Sequence, residues 1–261
     1  MSSEGALHRY GERVHVLGGP LAHTLLARVG SPAASRAEVL AGVRALAEQL
    51  CVAAANTLLP TVEREVETRM ATKHPRAGRW RGSTFDPASH AVVVDVIRGG
   101  IVPSQVCFEL LSALLPEDHV RLDHLHMART TAPDGGVTGA TLFGSKIGGS
   151  VANRHLFVPD PMGATGSTAT VALDHYVEHH GRPASVALIA LICTPEFLRK
   201  VLAHPTAPHV FTVRVDRGLS AADVLATVPG TRWSEERGLD DDDYIVPGAG
   251  GVGEVLNNSW C

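Results

Sequence analysis

Long apolar runs are missing from this chain. The longest tracts, such as residues 184–193 with a serine inside, reach about ten residues, against the ~20 a helix needs to cross a bilayer. No membrane span is expected. The opening Met-Ser-Ser-Glu-Gly-Ala-Leu-His-Arg-Tyr lacks the basic and apolar regions of a secretory signal, so the expected location is cytoplasmic. Cysteine is scarce. Cys51, Cys107, Cys193 and Cys261 lie far apart with no C-x-x-C pair, which argues against a disulfide frame or a zinc site and for reduced thiols. A cationic excess is also missing: 23 Lys and Arg stand against 27 Asp and Glu, a net charge of −4. That removes the broad basic surface a nonspecific polynucleotide binder needs, and no polynucleotide partner is expected.

What is present is ordinary globular material, 44% hydrophobic and 19% charged over 261 residues, enough for a substantial core. Apolar residues Val39, Leu40, Val43, Leu46, Ala47, Leu50 and Cys51 recur at three- and four-residue steps, predicting an amphipathic helix over 36–55 with Ser35 as its N-cap. A second helix is expected over 58–70 and a loop over 73–89. Ala91-Val-Val-Val-Asp-Val-Ile97 reads as a buried parallel strand ending at Gly99-Gly100. Helices over 105–115, 167–180 and 195–203 then alternate with strands over 121–127, 154–158, 185–192 and 210–215. A Gly/Thr-rich loop is expected over 129–141, and a solvated excursion over 217–243. Such alternation predicts an α/β fold with a central, mostly parallel sheet flanked by helices. Ligands of such sheets bind beyond the carboxyl ends of the strands, so chemistry belongs in the loops that follow them.

The most informative loop is Asp160-Pro-Met-Gly-Ala-Thr-Gly-Ser-Thr168, between a hydrophobic strand and a helix. Backbone amides of a small-residue turn, added to the positive end of a helix dipole, make a site for a phosphate dianion. Thr165, Ser167 and Thr168 add hydroxyl donors, and Asp160 is placed to accept hydrogen bonds from sugar hydroxyls. The same residues also suit an ordinary Asp-Pro turn with Ser167 or Thr168 as a helix cap. The segment fits neither G-x-x-x-x-G-K-[ST] nor G-x-G-x-x-G.

Asp160-Pro-Met-Gly-Ala-Thr-Gly-Ser resembles the D-P-M-L-A-T-G-G-S loop with which uracil phosphoribosyltransferases bind 5-phosphoribosyl-1-pyrophosphate (PRPP). Three more segments agree in order. Val96-Ile-Arg98-Gly-Gly100 resembles I-L-R-A-G, Met127-Ala-Arg129 resembles M-Y-R, and Tyr244-Ile-Val-Pro-Gly248 resembles Y-I-I/V-P-G. The likeness spans roughly residues 15–256. It implies a type I phosphoribosyltransferase fold: one domain over 1–261, with a small hood from the N-terminal helices and the tail at roughly 217–261. It also implies transfer from PRPP to uracil or a related planar base, giving a nucleoside monophosphate and pyrophosphate. PRPP would be held by Arg98, Arg129, Asp160, Pro161, Met162, Gly163, Ala164, Thr165, Gly166, Ser167 and Thr168. Arg98, Arg129 and Asp160 would carry the chemistry. The base would lie against Ile245, Gly250, Gly251 and Val252. Mg2+ would arrive with PRPP, with no direct protein ligand predicted, and a homodimer or higher homo-oligomer is implied.

Some residues depart from the family pattern. The tail G-L-G-D-A-G-D is here Gly248-Ala-Gly250-Gly251-Val252-Gly253-Glu254, so an aspartate is lost at Gly251 and an alanine enlarged at Val252. The acidic pair of R-x-E-E-T is absent from Arg129-Thr-Thr-Ala-Pro133, and A-G-L-G-M becomes Gly99-Gly-Ile-Val102-Pro103. A retained phosphoribosyl donor with an altered acceptor fits these changes, and so does a catalytically silent PRPP- or nucleotide-binding regulatory homologue. His124 and His126, two apart on a strand, share a face and are a further acid–base or metal candidate without an evident third ligand.

Overall fold

The computed structural model describes residues 5–131 and 137–259, and among these the side chains of all but 129–131 and 137–138. In chain order the elements are β1 (Val14–Val16), α1 (Pro20–Val29), α2 (Arg36–Leu58), β2 (Thr61–Glu67), β3 (Arg79–Phe85), β4 (Ala91–Ile97) and α3 (Ile101–Leu114). Next come β5 (Val120–Thr131), β6 (Val137–Lys146), β7 (His155–Pro159), the two-residue β8 (Met162–Gly163), α4 (Ser167–His179), β9 (Ser185–Cys193) and α5 (Pro195–Leu202). β10 (His209–Val215), α6 (Ala222–Leu225) and α7 (Val252–Asn257) complete the described chain.

The main sheet has the order β1-β10-β9-β7-β4-β5-β6, with β8 paired to β9. Every pairing in it is parallel except β5 with β6. β4 is buried on both faces, as a continuous Val-rich run requires: Ala91 and Val93 face the core under α2 and α3, while Val92, Val94 and Val96 face α4 and α5. α2 starts at a capping box, with Ser35 N donating to Glu38 Oε2 at 2.8 Å and Ser35 Oγ accepting from Glu38 N at 3.3 Å. From β4 the chain winds through α3 to β5, and from β7 it winds the opposite way through α4, β9 and α5 to β10. β4 and β7 are therefore the adjacent strands at which winding reverses, and a crevice opens beyond their carboxyl ends.

Four expected segments are corrected. The helix over 58–70 and the loop over 73–89 are instead the antiparallel ribbon β2–β3. Thr61-Val-Glu-Arg-Glu-Val-Glu67 has no apolar stripe to bury as a helix. Its glutamates instead face arginines across the ribbon, Glu65 and Glu67 each 2.7 Å from Arg79, with Glu65 also on Arg81. The loop over 129–141 is largely strand, since β5 and β6 pair from His124–Lys146 to Thr131–Val137. β-branched threonines suit that ladder. Residues 217–243 are not merely solvated. Glu236 is fully buried and accepts from Tyr10 Oη at 2.6 Å, Arg217 Nη1 at 3.0 Å and Gly230 N at 2.8 Å. Burial and the neighbouring Glu236 push the Tyr10 phenol up, so it stays a donor. The exposed character expected of the segment holds elsewhere in it, at Ala221–Asp223 and Asp240–Asp242 among others.

Cys51, Cys107 and Cys193 are buried free thiols. Contact with Cys51 and burial push Cys107 well up, and burial pushes Cys193 up to about 12, so neither is a nucleophile. Cys261 lies outside the described residues. Among the described residues no helix is long and apolar enough to cross a membrane.

Removing the buried carboxylate with Glu236→Ala strands the Arg217 charge and should cost about 3–5 kcal/mol in urea unfolding. A change under about 0.5 kcal/mol would mean that the segment is a surface loop after all.

Candidate active site

β4 ends at Ile97 and turns at once through Arg98, Gly99 and Gly100 into α3; the Ile97–Arg98 peptide is cis. Gly100 has no room for a side chain. A Cβ there would lie 2.7 Å from Val96 O and 3.1 Å from Pro159 O, backbone atoms of both switch-point strands. The turn is thereby pressed against the end of β7. A Cβ on Gly99 would stand 3.5 Å from Asp160 Oδ1, so the loops after β4 and β7 touch.

The loop after β7 is tied down through its carbonyls. Pro161 O accepts from Leu191 N at 3.0 Å, Gly163 O from Thr194 N at 3.1 Å, and Ala164 O from Thr194 Oγ1 at 2.6 Å. Asp160 N is itself fixed on Ile189 O at 2.9 Å, and Asp160 Oδ1 accepts from Met162 N at 3.3 Å. Met162, Ala164 and Ser167 spend their amides inside the turn, so the amides left at its mouth are those of Thr165, Gly166, Thr168 and Ala169. Gly166, at φ 79°, is the N-cap of α4 and brings no capping side chain. Neither Ser167 nor Thr168 is the cap. Helical bonding starts only with Thr170 N to Gly166 O at 3.0 Å; ahead of it Ser167 N has a 3.3 Å bond to Thr165 Oγ1. Unsatisfied first-turn amides at a helix N-terminus, with hydroxyls beside them, suit a phosphate group.

The tail reaches this crevice on an ion-pair clamp. Asp216, buried at the end of β10 and bonded to Arg214, accepts from Gly248 N at 2.7 Å, while Arg214 Nη2 donates to Gly248 O at 3.1 Å. Farther on, Asn257 Nδ2 donates to Arg98 O at 3.4 Å and Arg98 Nη1 donates to Ser259 Oγ at 2.8 Å. α7 is thus held against the arginine turn. Residues 248–253 spell G-x-G-x-x-G, but they follow a turn and open a six-residue helix, unlike the strand and long helix of a dinucleotide site.

The result is a cleft of about 420 Å³, within the range of small-molecule sites. Its walls include Arg98, every residue of 160–168, and Ile245, Gly250, Gly251 and Val252. Arg129 pairs through its backbone with Ala140 across β5–β6, and its side chain lies outside the description. His124 is not on the wall; its Nδ1 sits 2.8 Å from Asp95 Oδ2, a buried carboxyl pushed up by burial against the pull of His124. His126 borders an adjoining recess with Arg98 and Glu254. Sequence reasoning missed Glu254. A Cβ on Gly251 would come within 2.5 Å of Glu254 Oε2, so that carboxylate fills the space left by the missing aspartate side chain. Its place at the end of the G-x-G-G-x-G-E tail was the available signal. Among the described residues no three His, Cys, Asp or Glu cluster as a metal site, but Asp160, Asp243 and Glu254 all line the cleft.

A glycine- and hydroxyl-rich turn at the winding switch of a mostly parallel sheet, faced by an arginine loop and a glycine-rich tail, is the arrangement of a type I phosphoribosyltransferase fold. The model of the uracil phosphoribosyltransferase family matches residues 16–232, and the chain belongs to that family. It is 28% identical over 211 residues to the uracil phosphoribosyltransferase of Synechocystis, covering 80% of each chain. It is 30% identical over 175 residues to that of Salinibacter ruber, covering 66% of this chain and 67% of the relative. The solved structure of the AQ2163 protein from Aquifex aeolicus shares the fold, with a TM-score of 0.69 and 21% identity over 93% of this chain and 97% of that one.

Gly100→Ala should displace the arginine turn while the rest of the sheet survives. A loss of at least about tenfold in kcat/KM for PRPP is expected, with far-UV circular dichroism preserved. Unchanged kinetics would show that the turn tolerates movement.

Proposed function

We propose that this chain transfers the phosphoribosyl group of PRPP to uracil or a closely related planar base, releasing pyrophosphate. The observation that carries the reading is the uncapped, carbonyl-anchored turn at 160–168, set against Arg98 across the switch point. Both relatives named above bear the name of the uracil-specific enzyme, and that favours catalysis over a silent regulatory role.

The chemistry asks for positioning and charge compensation rather than covalent help. The amides at the mouth of α4, Thr165, Gly166, Thr168 and Ala169, and the hydroxyls of Thr165, Ser167 and Thr168 hold the 5-phosphate. Asp160 accepts from the ribose hydroxyls and favours the cationic character that C1 develops. Arg98, together with Arg129 by its place in the sequence, draws charge from the departing pyrophosphate through charge-assisted bonds. The base nitrogen, giving up its proton, bonds to C1 as the C1–O bond breaks, and the electron pair leaves with pyrophosphate. Main-chain groups from Ile245 to Val252 grip the base, and the buried Val252 narrows that end relative to the family's alanine. Magnesium takes oxygen ligands with retained waters, so it would be carried mainly by the pyrophosphate oxygens, with the Asp160 carboxylate on the cleft wall as a protein oxygen near it. When bound it would supply charge neutralisation on the pyrophosphate.

Residues 217–261 would act as the hood of a single domain. The proposed setting is the cytoplasm, and the proposed assembly a homodimer or larger homo-oligomer. Val66 and Trp80, left exposed on the β2–β3 ribbon, support self-association.

Pyrophosphate release with PRPP, Mg2+ and uracil tests the activity. Arg98→Ala should raise the KM for PRPP about tenfold or more while sparing that of the base, and Asp160→Asn should lower kcat on the order of 100-fold. If Arg98→Ala moved only the base KM, the two ends of the cleft would be assigned the wrong way round.

A further inference from the structure

Lysine is rare here, three residues against 20 arginines, and one of the three stands beside the phosphate turn. Lys200 lies in the last turn of α5. Its Nζ donates to Ser167 Oγ at 2.7 Å, and the same oxygen lies 3.1 Å from Thr165 Oγ1. The stem runs along the turn: a Cβ on Gly166 would sit 3.4 Å from Lys200 Cβ and 3.1 Å from Val201 Cγ1. Ser167 is buried, whereas Lys200 is exposed.

The charge balance of the cleft gives this contact its meaning. The 160–168 turn contains no cation, and its one ionisable side chain is the acidic Asp160. Asp243 and Glu254 add further negative potential, while Arg98 stands on the other loop. Among the described side chains of the 160–168 turn and its α5 neighbours, Lys200 is the cation in reach of a phosphate monoester dianion that would otherwise meet amides and hydroxyls. A compact ammonium on a flexible four-carbon stem can exchange a hydroxyl acceptor for a phosphate oxygen with small movement.

We propose that Lys200 is the cationic ligand of the donor's 5-phosphate, its ammonium moving from Ser167 Oγ onto a phosphate oxygen when the sugar phosphate binds. The inference rests on the reading of 160–168 as the phosphate site and adds to it a residue from a separate helix, outside that loop's motif. It separates the two anionic ends of the donor: Lys200 serves the 5-phosphate, Arg98 the pyrophosphate.

Calorimetric titration of the full chain with ribose 5-phosphate and, separately, with magnesium pyrophosphate tests this in wild type, Lys200→Met, Lys200→Gln and Lys200→Arg. Loss of a charged phosphate contact should weaken ribose 5-phosphate roughly 10- to 100-fold in Lys200→Met and Lys200→Gln, with pyrophosphate affinity within about twofold of wild type and most of the loss recovered in Lys200→Arg. In steady state the KM for PRPP should rise while the KM for the base stays put. Wild-type ribose 5-phosphate affinity in Lys200→Gln would overturn the proposal by reducing the lysine to a support for Ser167. Equal weakening of both ligands would overturn it as a general disturbance of the fold. If wild type bound pyrophosphate but not ribose 5-phosphate, the phosphate site itself would be misplaced, and both readings would fall.

Discussion

The first turn of α4 begins with amides that nothing in its own helix can satisfy, and the rest of the site is built around that deficit. Gly166 turns the chain with a positive φ and gives no capping oxygen. The preceding carbonyls are spent on Leu191 and Thr194, so the strand β9 and the start of α5 decide which way the turn faces. An anion gains where those amides converge because they are already oriented and need no reorganisation when it arrives.

The opposite end is held by contact rather than by a network. Gly100 brings the arginine turn against the backbone of β4 and β7, and α7 is laced to the same turn through Asn257 and Ser259. The tail therefore does two things at once. It supplies the glycine-rich surface beside Ile245, and it braces Arg98. Glu254, at the position of the second aspartate in the family tail, sets its carboxylate beside Gly251 and keeps negative charge in the cleft where the first aspartate is missing.

Much of this architecture was legible in the residues. β4, β7, β9 and β10 are buried parallel strands, which read as short apolar runs, and α2 carries helical spacing with a clear start at its capping box. The 160–168 turn announced itself through glycines and hydroxyls between a strand and a helix. The ribbon β2–β3 was not legible as strand because its partners are charges facing one another across the pair, with no apolar alternation to read. The packed character of residues 217–243 depends on Tyr10 meeting Glu236 across 226 positions, and Lys200 reaches Ser167 across 33. Such partnerships are made by the fold, and local pattern does not contain them. The hairpin β5–β6 was misread for another reason: its Gly/Thr content favours a loop locally, while the free edge of β5 recruits it as a strand.

The most direct measurement is an amide chemical-shift titration of the 15N-labelled chain with ribose 5-phosphate, which carries the 5-phosphate without the pyrophosphate. Saturable shifts should be largest at Gly166, Ser167, Thr168 and Ala169, the amides at the mouth of α4. Shifts absent there, or concentrated at the arginine turn instead, would contradict a sugar-phosphate site at this helix start.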